Sequence, residues 1–318
     1  MNTDQQNSRY NAYSNYLFSV SKLIEQEHLN PQTFAKNICG LAGFNRITRA
    51  TSIAEVKLTE ALRQCWFTEL LLHEKKKYPA LLPYAAPWSM VECYYAVYPA
   101  IRAYFLALGR NVETTHQATL KTVSNDLLSL KDRFPSPWRC VLKDDPSVRP
   151  CIFVNSVCDK PEPIDLKNPL ISPSRAEPCQ FYGLLLKTTR ERMLEKQIRI
   201  WKHQEKRKRI RGDERIAVIS KLRPTTIFDA LYRIRTRANY QDIDSFVFSQ
   251  TSEPSFELLH ESMCNIAFYT LMMFEIIIAR AIGKKKYEGI VNEFSNTTFG
   301  KSDGRTYQLR WDIAKREW

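Results

Sequence analysis

Apolar side chains recur at three- and four-residue spacings along most of the chain, which is the pattern of helices that bury one face. A loosely ordered start leads into a short helix near Leu17–Glu27, and Asn30 to Arg49, with Pro31, Gly40 and Gly43, reads as a connector. Thr51/Ser52 followed by Glu55 predicts a capping box for a helix running to about Lys77. Pro87 sits where a helix can begin, and Met90, Tyr94, Val97, Ile101, Phe105 and Leu108 continue it to Gly109, with a kink expected at Pro99. Thr114/Thr115 cap the next helix, His116 to about Leu130.

The periodicity breaks over residues 131–180, where nine prolines punctuate few regularly spaced apolar residues; Ile152-Phe153-Val154 is the one short strand expected there. Helical spacing returns over about Phe181–Arg211, with Leu194, Ile198 and Trp201 on one packing stripe. Pro224-Thr225-Thr226, with Asp229 three residues on, opens another helix, and Pro254-Ser255 begins a long apolar one that ends at Gly283. In the tail, the turn signal Ser302-Asp303-Gly304 predicts a hairpin of Thr297–Phe299 with Thr306–Leu309. These elements make an all-α protein: an N-terminal extension (1–50), a helical domain (51–283) with a proline-rich insertion (131–180) and a basic helix (181–223), and a small C-terminal β-hairpin within the tail (284–318).

The helix after Pro224 carries Arg233-Ile-Arg235-Thr-Arg237-Ala-Asn239-Tyr240. At about 100° per residue, Ile227, Leu231, Ile234 and Ala238 form one stripe. Arg233, Arg237 and Tyr240 share a second face, and Arg235 with Asn239 lie on a third. So many fork-shaped donors beside a packing stripe suit phosphate or a partner carboxylate.

Composition narrows the function classes. With only nine glycines and no GxxxxGK[ST] or GxGxxG, the chain lacks the phosphate loop of a P-loop or Rossmann enzyme. The net charge of +13 favours anionic partners, nucleic acid first. Residues 187–223 hold fourteen Lys/Arg against five acids, and Lys202, Lys206, Arg207, Lys208, Arg209 and Arg211 are the expected backbone-binding cations, with Trp201 and Tyr182 available to stack on bases. Eight cysteines without a CxxC pair, behind a polar N-terminus lacking a signal-peptide core, read as reduced cytoplasmic thiols and as no metal site. The apolar run Phe268 to Ile282 is short for a membrane span and contains Glu275, so a buried helix is expected, with no membrane partner.

Three motifs in order carry a family resemblance. An aromatic helix, Trp88-Ser-Met-Val-Glu-Cys-Tyr-Tyr-Ala-Val-Tyr-Pro-Ala-Ile-Arg-Ala-Tyr, precedes Thr114-Thr115-His116; then come Leu231-Tyr-Arg-Ile-Arg-Thr-Arg-Ala-Asn-Tyr-Gln-Asp and one more long helix. This order resembles the HEPN domains of prokaryotic toxins and defence proteins over about residues 86–130 and 224–283. The resemblance implies a helical bundle, a homodimer, RNA as substrate, no cofactor, and metal-independent endoribonuclease activity, with an acidic antitoxin or defence partner possible. By it, Arg233 or Arg237 would stabilise the phosphorane and Asn239, Tyr240 and Arg235 would engage RNA. The sequence departs from the family at the histidine that follows the arginine: none occurs before His260, so Tyr240 or His116 would take its place. A non-catalytic HEPN-like nucleic-acid or nucleotide module and a partner-binding scaffold are the alternatives.

Overall fold

The computed structural model describes residues 3–111, 114–147, 153–154, 178–240, 253–297 and 306–318. Helices dominate: α1 (Thr3–His28), α2 (Pro31–Cys39), α3 (Ala42–Asn45), α4 (Glu55–Glu74), α5 (Leu82–Ala107), α6 (His116–Ser129), α7 (Pro178–Gln204), α8 (Gly212–Lys221), α9 (Ile227–Tyr240), α10 (Glu253–Ile282), α11 (Lys284–Ser295) and α12 (Thr306–Ala314). The all-α expectation holds.

At the centre, α5 packs between α4 and α10; α1 covers α10, α7 covers α1, and α9 lies on α5 with its other side against α7. Helix α10 is long and apolar enough to cross a membrane, but 89% of its most apolar window is buried inside the bundle. Residues expected as an N-terminal extension join the same core: Tyr10, Leu17 and Ile24 are buried together with Phe34 and Ile38 of α2, in a segment read as connector. Gly43 is required by close approach, since a Cβ there would meet the Asp132 backbone at 2.5 Å, and Gly109, at φ +69°, ends α5 in the left-handed conformation.

Several boundaries differ from the sequence reading. Helix α4 starts after Ala54 without a side-chain cap, so the Thr51/Ser52 box does not form. Helix α5 begins at Leu82 and encloses both Pro87 and Pro99. Thr115 does cap α6, its Oγ1 accepting from the Ala118 N–H at 3.2 Å. The basic helix stops at Gln204, not Arg211: Lys206 turns to φ +51° and the Arg207 N–H reaches back to the Lys202 carbonyl at 3.0 Å. Cys179, at the start of α7, is disulfide-bonded, which corrects the reading of uniformly reduced thiols; Cys39, Cys65, Cys93, Cys140 and Cys264 are free.

The C-terminal hairpin is also corrected. Thr306–Leu309 is the first turn of α12, and the turn signal at 302–304 lies outside the described residues. Tyr307, Arg310, Trp311 and Ala314 recur at helical spacing and bury one face. Arg310 locks that face in place. Its Nε and Nη2 donate to Glu275 at 2.8 and 2.7 Å and its Nη1 to Glu69 at 2.5 Å, while Trp66 Nε1 and Thr306 Oγ1 donate to the same carboxylates at 2.7 and 2.8 Å. Glu275, the charge in the apolar run, is thus one anchor of the C-terminal helix.

The insertion contributes the only sheet among the described residues: β1 (Val141–Leu142) and β2 (Phe153–Val154) run antiparallel, Val141 opposite Val154. Leu142 also exchanges both backbone hydrogen bonds with Thr225, at 3.0 and 2.9 Å, just ahead of α9. Arg190 of α7, fully buried, donates to the carbonyls of Lys143, Asp144 and Arg223 and to Thr225 Oγ1. Loop, α7 and the start of α9 are thereby held in one register.

Candidate nucleic-acid interface

That register opens a groove of about 820 Å³ between α6, α7, α8 and α9, within the roughly 300–1,000 Å³ range of ligand sites. Among the described residues its walls hold eight cations against two carboxylates. Arg192, Lys196 and Arg199 project from α7 at i, i+4 and i+7, Lys121 from α6, Lys221 and Arg223 from the end of α8 and just beyond it, and Arg233 and Arg237 from α9. One of the two carboxylates, Asp229, is already used: it is buried, it pairs with Arg223, and it accepts from the Thr226 N–H at 3.0 Å, closing the cap of α9. The other, Glu195, pairs with Arg192 at 2.8 Å on the surface. Trp201, expected as a packing residue, and Tyr232 supply aromatic wall.

Arg233 is the most constrained of these cations. Its Nη1 donates to Thr188 Oγ1 at 2.9 Å, its Nε is buried without a hydrogen-bond partner, and no carboxylate among the described residues pairs with it. Burial lowers its pKa, and Arg237 and Arg192 push in the same direction against Tyr16 and Tyr13. An incoming anion would relieve all three penalties.

The apolar stripe of α9 is as the periodicity predicts: Ile227, Leu231, Ile234 and Ala238 are buried. The polar faces divide differently. Arg233 and Arg237 share the groove, but Tyr240 is exposed and lies with Arg235, whose guanidinium sits 5.7 Å from the Tyr240 ring and 5.0 Å from the Tyr95 ring. Arg235 also donates to Tyr95 Oη.

His116 belongs to that second face. Its Nδ1 is 2.7 Å from Tyr94 Oη, and its ring lies 4.1 Å from Tyr98 and 5.8 Å from Tyr232, centroid to centroid. Burial lowers its pKa, with Arg235 and Arg102 adding to the effect, which favours the neutral imidazole. The four residues first grouped for catalysis therefore divide between two sides of α9: Arg233 and Arg237 at the groove, and Tyr240 on the other side with His116 of α6. His260 is elsewhere, buried beside Cys264 (3.5 Å) at the α4–α10 end of the bundle.

The cations at 202–211 stand outside the groove. Lys206, Lys208 and Arg209 are exposed, and Arg207 is committed to Glu214 at 2.5 Å. Arg211 caps α8, its N–H donating to Glu214 at 2.8 Å. Asn239 is half-buried, and Lys202 is likewise off the groove wall. The groove cations Arg192, Lys196 and Arg199, counted in the basic window but not singled out as binding residues, carry a legible signal in their helical spacing. Among the described residues no cluster of His, Cys, Asp and Glu is arranged to hold a metal ion. No protein-family model, curated protein or solved structure matches the chain.

Proposed function

We propose that this is an HEPN-like RNA-engaging protein that binds a single strand in the groove between α6, α7, α8 and α9. The observation that carries the reading is the eight-to-two excess of cations on a concave wall that also holds Trp201 and Tyr232. Phosphate contacts supply affinity and aromatic faces accept unpaired bases, which favours a single strand over a duplex whose bases are already stacked and paired. The homodimer, the cytoplasmic setting and a toxin or defence role belong to the same proposal through the HEPN resemblance. Fluorescence polarisation with a labelled mixed-sequence single strand tests it: Lys196→Glu/Lys221→Glu should weaken binding by at least ~10-fold and flatten its salt dependence. Equal affinity for wild type and variant would refute groove binding.

Metal-independent cleavage is a second reading, favoured by His116, whose pKa is lowered by burial and by the nearby Arg235. In the tautomer that donates its Nδ1–H to Tyr94 Oη, the Nε2 lone pair would take the 2′-hydroxyl proton. The 2′-oxygen would then bond to phosphorus, and the 5′-oxygen would leave with a proton from solvent, giving a 2′,3′-cyclic phosphate and a 5′-hydroxyl. Arg235 would face the developing charge. Incubation with RNA in EDTA decides: cleavage abolished in His116→Ala supports it, and intact RNA, or cleavage unchanged in that variant, removes it.

A further inference from the structure

A second cavity of about 340 Å³ lies between α1, α7 and α9 and shares Arg192, Glu195, Arg233 and Arg237 with the large groove. The two spaces are therefore neighbours across one arginine-bearing wall. Their chemistry differs. The far side of the small cavity is formed by Tyr13, Tyr16, Thr188 and Glu191, with no cation among the described residues beyond the shared wall.

Resting on the RNA reading, we propose that this cavity is a base-reading subsite selective for guanine, with Glu191 as the reader and Arg233 and Arg237 holding the adjoining phosphate. Glu191 enters no ion pair or hydrogen bond among the described residues, although three arginines line the same cavity. Glu195 is already paired with Arg192, so Glu191 is the carboxylate left to act on a ligand. A carboxylate offers acceptors only, and it repels a phosphate, so this end of the cavity selects against the backbone and for a donor-rich group. Guanine presents two adjacent donors on its Watson–Crick edge, N1–H and the N2 amino group, which match the two carboxylate oxygens. Adenine and cytosine place a ring acceptor beside their amino group, and uracil flanks its one N–H with two carbonyls. Tyr13 and Tyr16, both buried, form the inner aromatic wall of the cavity.

The test uses polarisation with four labelled octamers, oligouridine and oligouridine carrying one central G, A or C, against the full chain and Glu191→Gln. Wild type should bind the G-containing strand ~10-fold or more tighter than the other three, because a site built to pair a donor edge rejects analogues that lack it. In Glu191→Gln that preference should shrink to within about threefold, with affinity for oligouridine held or slightly raised as a negative charge leaves the site. Inosine in place of G, lacking the N2 amine, should fall between G and A. Equal binding of all four strands by wild type, or an undiminished preference in Glu191→Gln, overturns the guanine subsite and leaves groove binding standing. No binding of any strand overturns both.

Discussion

A buried arginine and a half-buried one are treated in opposite ways in this bundle. Arg310, in α12, is enclosed by Glu69 and Glu275, with every side-chain nitrogen donating to a carboxylate, and its pKa is raised because those two charges outweigh the cost of burial. Arg233, in α9, keeps one hydrogen bond to Thr188, has no carboxylate partner among the described residues, and has its pKa lowered by burial. The first is a completed structural site whose removal would leave two buried anions. The second is a charge held half-desolvated at the junction of two cavities, missing the anion that Arg310 has. A fold tolerates such a residue where a ligand completes it.

The contrast predicts opposite responses to the same substitution. Arg310→Met strands Glu69 and Glu275 in the core and should cost about 3–5 kcal/mol in urea unfolding at pH 7, if the chain folds at all. Arg233→Met keeps the apolar stem against α1 and α7 and removes only an underpaired charge, so its stability should stay within about 1 kcal/mol of wild type. An Arg233 variant as unstable as the Arg310 variant would make Arg233 a structural residue and undo the comparison.

The sequence makes one of these sites more readable than the other. The stripe Ile227, Leu231, Ile234 and Ala238 follows directly from a 3.6-residue period, and so does the shared face of Arg233 and Arg237. Tyr240 departs because a helical wheel specifies where a Cα lies, whereas a long side chain in the last turn can swing to a neighbour such as Arg235. Summed along the chain, charge points to 202–211; resolved by helix face, it points to Arg192, Lys196 and Arg199, which line the groove. The Arg310 triad joins residues 69, 275 and 310 across the chain, and no local pattern announces such a pairing. The helical spacing of Tyr307, Arg310, Trp311 and Ala314 was nonetheless available, and the Asp-Gly turn signal competed with it.

The contrast also has a pH form. At the end of α4 that leads away from Arg310, His260 is buried beside Cys264, and burial pushes its pKa down to about 4, with Lys75, His73 and Lys76 adding to the effect and Glu261 opposing it. A depressed folded-state pKa means that the unfolded chain binds the proton first. Stability from the neutral ring is therefore present above about pH 6.5 and is lost as pH falls toward about 4, by an amount on the order of 2–3 kcal/mol. His260→Gln should lose less than wild type over that window when the two urea midpoints are compared, because the carboxylates they share cancel. Arg233→Met should run parallel to wild type, since Arg233 does not titrate there. Parallel curves for His260→Gln would show that burial does not govern that histidine.

The smallest effect distinguishes cations by whether they already have a partner. Lys196 and Arg199 line the groove and pair with no acid among the described residues, whereas Arg207, one turn beyond the end of α7, is bonded to Glu214 at 2.5 Å. Each free cation that meets a phosphate releases condensed counterions, so Lys196→Gln and Arg199→Gln should each reduce the slope of log affinity against log salt by about 0.7 for a single strand. Arg207→Gln should change it by less, because the Glu214 carboxylate already neutralises that guanidinium and would have to be displaced before a phosphate gained by the contact. Polarisation titrations at four or more salt concentrations measure the slopes. If Arg207→Gln flattened the line as much as Lys196→Gln, the strand would follow the exposed 202–211 run and not the groove, and the missing partner of Arg233 would have to be sought elsewhere.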